Sequence, residues 1–270
     1  RDTTDRFRPW RHDARMGWGR SVIDDSPVKY DALRAATAAR IALGRAGDAL
    51  PTAPLLDFQL AHARARDAVY TELDADAIAA ALSGHEIVRM RSQAADRGEY
   101  LRRPDLGRRV DPAGLVALRP GDYDAAFVVA DGLSAMAVNR QAVALVAAVC
   151  ALLGGWRVAP VVLVQQGRVA IGDEIGAALG ASLVVVLLGE RPGLSAADSL
   201  GAYLTWAPEP GRRDSERNCI SNIRPGGLPI ATAADQLAWL MREARSRRLS
   251  GIDLTEDRLS APSAAIERPP

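Results

Sequence analysis

Apolar and polar residues follow two different rhythms along this chain. From Asp31 onward the apolar positions recur at helical spacing. The segment YDALRAATAARIALGRAG is rich in Ala, Leu and Arg and meets glycine at Gly44 and Gly47, a common way to end a helix. PLLDFQLAHARARDAVYTELD follows a proline and spaces Leu56, Leu60, Ala63 and Ala68 near the 3.6-residue period. ADAIAAALSG and HEIVRMRSQAADR continue the pattern, so residues 31–98 read as all-helical. YLRRPDLGRRVDPAGLVALRPGDYD, dense in Pro, Gly and Arg, reads as a connection to a different kind of structure.

After it, short apolar runs alternate with helical stretches. Ala125–Ala130 (AAFVVA) ends at Asp131-Gly132, and a helix is predicted from Leu133 to about Leu153, closed by Gly154-Gly155. Arg157–Val164 is the next strand, although Pro160 inside it lacks an N–H for the ladder. DEIGAALG predicts a short helix, Leu183–Leu188 a third strand, Ala202–Trp206 a fourth, and Ala231–Arg248 the last helix. Apolar runs joined by helical crossovers predict an α/β fold, an N-terminal helical region followed by a mostly parallel, doubly wound sheet. The expected organisation is an arm over 1–30, a helical region over 31–110, a sheet domain over 111–255 and a tail over 256–270.

The C-terminal ends of parallel strands share one edge, and ligands of open α/β sheets bind there. That edge is predicted at Asp131-Gly132, at Gln165–Val169 and at Gly189–Gly193, where GERPG breaks an apolar strand abruptly.

Composition narrows the function. The chain has 270 residues, 48% hydrophobic and 25% charged, and 34 Lys+Arg face 33 Asp+Glu for a net charge of +1. That balance argues against nucleic acid or an anionic membrane as the main partner. Two cysteines, Cys150 and Cys219, exclude a disulfide framework and point to a reducing, cytoplasmic setting. The apolar run Ala142–Leu153 is too short to cross a bilayer and reads as a buried helix. Neither G-x-G-x-x-G, nor a P-loop, nor a G-x-S-x-G elbow occurs, so no conventional NAD, ATP or serine-hydrolase site is predicted. His12 and His85 read as solvated, His62 as a packing residue, and Asp57, His62 and Asp67 lack metal-ligand spacing. From its residues alone the chain reads as a binding module without catalytic machinery.

Seven segments in order carry a resemblance: ARIALGRAG (39–47), LLDFQLAHARARDAV (55–69), RRPDLGRR (102–109), VVADGLSAMAV (128–138), GRVAIGDEIG (167–176), GERPGL (189–194) and RNCISNIRPGGL (217–228). The series resembles the small (light) subunit of ethanolamine ammonia-lyase, over roughly Asp31 to Leu254. The resemblance implies an adenosylcobalamin-dependent lyase that converts ethanolamine into acetaldehyde and ammonia through an adenosyl radical. It places the substrate site in the barrel of a separate large subunit, leaving no catalytic residue and no metal ligand on this chain. Its Rossmann-like C-terminal part would cover cobalamin at the subunit interface, active only in that complex, with contacts carried over to Val169, Glu190 and Cys219. Glu190 suits the amide-bearing rim of the corrin, since a carboxylate accepts hydrogen bonds from amide donors. Its plainer reading is an ion pair with Arg191, and that of Cys219 a packed thiol. The pattern D-x-H-x-x-G, whose histidine replaces the cofactor's own lower base, is missing, so the cofactor is expected base-on. A place inside a bacterial microcompartment is left open. Two rival readings are a stand-alone Rossmann-like nucleotide-binding enzyme and a purely structural partner subunit.

Overall fold

A computed structural model describes residues 30–37 and 39–254. The expected N-terminal arm up to residue 29, with His12, and the tail over 256–270 lie outside the described residues. The chain divides into two units between Leu55 and Leu56. In the first, α1 (Asp31–Ala36) ends at Thr37 in an extended conformation. The helix predicted as far as Gly44 or Gly47 is therefore a single short one. Alanine-rich sequence favours a helix only weakly, and α1 buries none of its residues, so no packing prolongs it. Arg34 instead turns its guanidinium onto the carbonyls of Ile41 and Ala42. The division between the units falls inside α2 (Thr52–Tyr70).

The second unit is built on a six-stranded sheet. Its strands are β1 (Ile87–Arg91), β2 (Tyr123–Ala130), β3 (Val161–Gln165), β4 (Ala181–Gly189), β5 (Leu200–Trp206) and β6 (Arg217–Ile223), in spatial order β1-β3-β2-β4-β5-β6. The first four in that order are mutually parallel, and β5 runs antiparallel to both its neighbours, so β6 points the same way as the first four. Around them run α3 (Ala75–Ala81), α4 (Arg97–Arg102), α5 (Pro112–Leu115), α6 (Ala135–Leu152), α7 (Ile171–Leu179) and α8 (Ile230–Arg247). β2 and β4 are buried on both faces, as their unbroken apolar runs predict.

Two predictions are corrected. HEIVRMR, read as helix, contains β1: Ile87 and Val88 are β-branched, and pairing with β3 outweighs the local helical rhythm. RNCISNI, where no strand was predicted, is β6, which turns Ile220 and Ile223 into the core and pairs Cys219 with Tyr203. Pro160 sits just before β3, where no ladder N–H is needed.

α6 and α8 cover one face of the sheet, and α7 covers β2 and β4 on the other. α6 is the one helix among the described residues long and apolar enough to cross a bilayer, and its buried residues, among them Val138, Leu145 and Val149, pack into this core. Gly172 and Gly176, one turn apart, let α7 lie against Val184 and Val186 of β4. Beyond β4 this second face is less covered: Tyr203 on β5 is half-buried and Cys219 on β6 is exposed.

Candidate functional site

The chain leaves β2 towards α6 on one face and leaves β3 towards α7 on the other, so their C-terminal ends flank a crevice. Asp131 fills it. Its carboxylate accepts hydrogen bonds from the backbone N–H of Gln166 at 2.9 Å and of Gly167 at 3.0 Å. Burial pushes the Asp131 carboxyl up to about 6, even though these amides and Arg97 favour its charge. The β3 loop that carries Val169 is thus tied to the end of β2.

The end of β4 is held as closely. Gly132 adopts a left-handed φ of +58°, and a Cβ there would strike the Gly189 carbonyl. A Cβ at Gly189 would strike the Ser134 carbonyl. Only glycine lets these two strand ends pass each other.

α4 buttresses the same edge. Tyr100 is buried between two guanidinium groups, Arg97 at 4.8 Å and Arg168 at 4.6 Å from its ring centre. Its hydroxyl donates to the Gly167 carbonyl at 3.1 Å, and burial raises its pKa to about 12. Arg97 donates to the carbonyls of Val69 and Gly132, each at 2.7 Å.

Between the β3 loop and the end of β4 lies a cleft of about 440 Å³. Val169 and Glu190 both line it, with Leu188 and Tyr203 from the sheet and Arg108 and Arg168 from the loops. Glu190 makes no ion pair with Arg191 among the described residues. Its Oε2 accepts instead from the Ser199 hydroxyl and from the Asn222 N–H at 3.3 Å. The side chain lies over Gly201, where a Cβ would stand 3.0 Å from Oε1. Oε1 accepts no hydrogen bond among the described residues and remains able to take one from a ligand.

Cys219 lies outside this lining, one strand further on. It faces Tyr203 across the β5–β6 ladder. Burial is the main cause that holds the thiol above its ordinary range, and the charge of Glu190 adds to it. The residue as a whole is nonetheless exposed, so it is not a packed core thiol. Tyr203 therefore links Cys219 to the cleft. The sequence reading missed Tyr203, although it is the aromatic residue of an otherwise small and aliphatic strand start, Leu200–Leu204. His62 and His85 do not line the cleft. Among the described residues no group of three or more His, Cys, Asp or Glu stands together to hold a metal ion. A second cavity of about 440 Å³ beside β1, lined by Leu73, Met90, Asp111 and Gln165, contains none of the predicted site residues.

Known proteins match this chain over most of its length. The family model described as "Ethanolamine ammonia-lyase light chain (EutC)" matches residues 27–255. An ethanolamine ammonia-lyase small subunit from Ralstonia nicotianae is 53% identical over 248 residues, 86% of this chain and 92% of that protein. Those from Pseudomonas syringae pv. tomato and Pseudomonas putida KT2440 are 54% and 52% identical, covering 83% and 88% of this chain and 82% and 90% of their own lengths. With that extent of match and that identity, the chain belongs to the ethanolamine ammonia-lyase small-subunit (light-chain) family.

Proposed function

We propose that the chain works in a complex with an ethanolamine ammonia-lyase large subunit, and that its cleft holds the edge of adenosylcobalamin at the interface between the two. The observation that carries this reading is the meeting of Val169 and Glu190 in one cleft at the strand-end edge. The residues there fit such a group. Glu190 offers a free acceptor oxygen for a corrin amide, and Val169, Leu188 and Tyr203 offer apolar surface. Cys219, exposed on β6, extends that wall. When bound, adenosylcobalamin supplies the radical chemistry that turns ethanolamine into acetaldehyde and ammonia. The chain's own residues bind, orient and exclude water. Ser199 and Asn222 hold the Glu190 carboxylate in place, so that little side-chain freedom is lost when it accepts a further bond.

The cofactor keeps its own benzimidazole on cobalt in this reading, because the sequence lacks the D-x-H-x-x-G pattern. Electron paramagnetic resonance of the cob(II)alamin form tests this. Nitrogen-15 labelling of the protein histidines should leave the cobalt–nitrogen coupling unchanged, and an altered coupling refutes the base-on reading. A stand-alone nucleotide-binding enzyme is disfavoured by the crevice between β2 and β3, which Asp131 fills from within.

Co-expression with the large subunit of the same organism is the direct test. Ammonia release should require both chains and adenosylcobalamin. Turnover by this chain alone, or a complex that binds adenosylcobalamin equally well without it, would overturn the proposal.

A further inference from the structure

Three of the segments at the cleft each bring one arginine to it. Arg108 comes from RRPDLGRR, Arg168 from GRVAIG and Arg191 from GERPGL, and all three line the cleft. Some arginines elsewhere in this unit face a carboxylate, as Arg103, Arg109, Arg157, Arg212 and Arg217 do, and others, such as Arg91 and Arg242, donate to backbone carbonyls instead. These three form no ion pair among the described residues. The two carboxylates of the lining face other groups: Asp214 lies 3.5 Å from Arg217 Nε, and Glu190 Oε2 accepts from Ser199 and Asn222. The lining therefore holds three arginines against two carboxylates, and neither carboxylate pairs with these arginines.

Arg168 is the best positioned of the three. Its backbone N–H donates to the Gly107 carbonyl at 2.8 Å, which seats it beside Arg108. Its guanidinium stacks on Tyr100, and one Nη donates to the Tyr100 carbonyl at 3.2 Å. Its Nε is buried and has no hydrogen-bond partner. A buried donor without a partner is costly and uncommon, and a guanidinium fork matches the oxygens of a phosphate.

We propose that Arg168, with Arg108 and Arg191 at the rim, forms an anion subsite in the cleft that takes the phosphate of the cofactor's nucleotide tail. This rests on the cobalamin reading above. The corrin's side-chain amides are neutral and suit Glu190, whereas the phosphodiester is the anionic group of the tail. The two kinds of side chain in the cleft thus divide the cofactor between them and set the direction in which it lies.

The test uses the assembled two-subunit complex and three corrinoids, titrated by absorbance: adenosylcobalamin, cobinamide, which lacks the nucleotide tail, and cobinamide phosphate, which ends at the phosphate. In the wild-type complex the two phosphate-bearing corrinoids should bind about tenfold or more tighter than cobinamide. Arg168→Gln should remove most of that advantage while leaving cobinamide affinity unchanged, and Arg168→Lys should keep part of it. The double variant Arg108→Gln/Arg191→Gln changes only exposed side chains and should reduce the advantage without touching the fold. Equal losses for all three corrinoids overturn the subsite and leave a packing role. Weakened subunit association with an intact phosphate preference overturns it in favour of an acidic surface on the large subunit. If the wild-type complex binds no corrinoid at all, the cofactor reading falls, and this proposal with it.

Discussion

Arg217 at the start of β6 and Asp173 in α7 form a two-pronged buried pair, with guanidinium-to-carboxylate distances of 2.6 and 2.7 Å. Their side chains are only 3% and 2% exposed. Arg217 also donates to the Thr205 hydroxyl at 3.0 Å and to the Arg212 carbonyl at 2.8 Å. The helix that follows Val169 is thereby fastened to the strand that carries Cys219.

Removing one partner leaves the other charge buried and unpaired. Asp173→Asn or Arg217→Gln should each lower stability by about 3–5 kcal/mol. Urea unfolding followed by circular dichroism measures the loss. A loss below about 1 kcal/mol for both variants would show that the pair does not hold α7 to β6.

Asp131 predicts a pH dependence with a definite sign. Its folded-state pKa of about 6 lies above the ordinary carboxyl value of 3.8. The native state therefore holds this proton more tightly than the unfolded chain does. The contribution to stability is fully present below pH 3.8 and is lost as pH rises through about 6. It amounts to roughly 3 kcal/mol, taking 1.4 kcal/mol per pH unit. Asp131→Asn cannot titrate, so the stability difference between it and the wild type should shift in the variant's favour from pH 4 to pH 6.5. Denaturant midpoints across that range decide the matter, and a difference independent of pH would contradict the buried-charge account.

The crossing of strand ends at Gly132 and Gly189 leaves no room for a methyl group, because the atoms in the way are backbone carbonyls. Gly189→Ala should destabilise by about 3 kcal/mol, the upper end of ordinary overpacking. Gly132→Ala adds the cost of a left-handed backbone. Gly154→Ala, where a Cβ meets nothing within 4 Å, serves as the control and should melt close to the wild-type temperature.

Glu190→Gln keeps the shape of the side chain but loses its charge. In the assembled complex, affinity for adenosylcobalamin should fall about tenfold to a hundredfold, since a charge-assisted bond is worth roughly 1.5–3 kcal/mol. Turnover at saturating cofactor should change much less. Unchanged affinity in a folded complex would remove Glu190 from the site.

The parts of this fold legible beforehand are those that local pattern decides. β2 and β4 announce themselves as unbroken apolar runs, and α6 and α8 as long periodic ones. β1 was hidden because five residues with two arginines fit a helical rhythm as well as a strand. The antiparallel direction of β5 was not readable, since an apolar strand looks the same whichever way it runs. Val169 and Glu190 stood out as strand-end positions. Ser199, which holds Glu190, and Tyr203, which faces Cys219, are set by pairing register, a property of two segments at once. The three cleft arginines lay in plain view among 34 basic residues, and only their meeting in one cleft, with the Arg168 Nε buried and without a partner, distinguishes them.

The accessible stretch of β5 and β6 around Tyr203 and Cys219 has a thermodynamic consequence. A molecule lying against Tyr203 and Cys219 leaves water on one side only. Its other side stays solvated until a second surface closes over it, so ligand binding and closure of that surface share one free energy. Under such linkage the ligand tightens the assembly by the same factor by which the assembly tightens the ligand. An apparent affinity measured at this wall therefore varies with the concentration of whatever chain closes it.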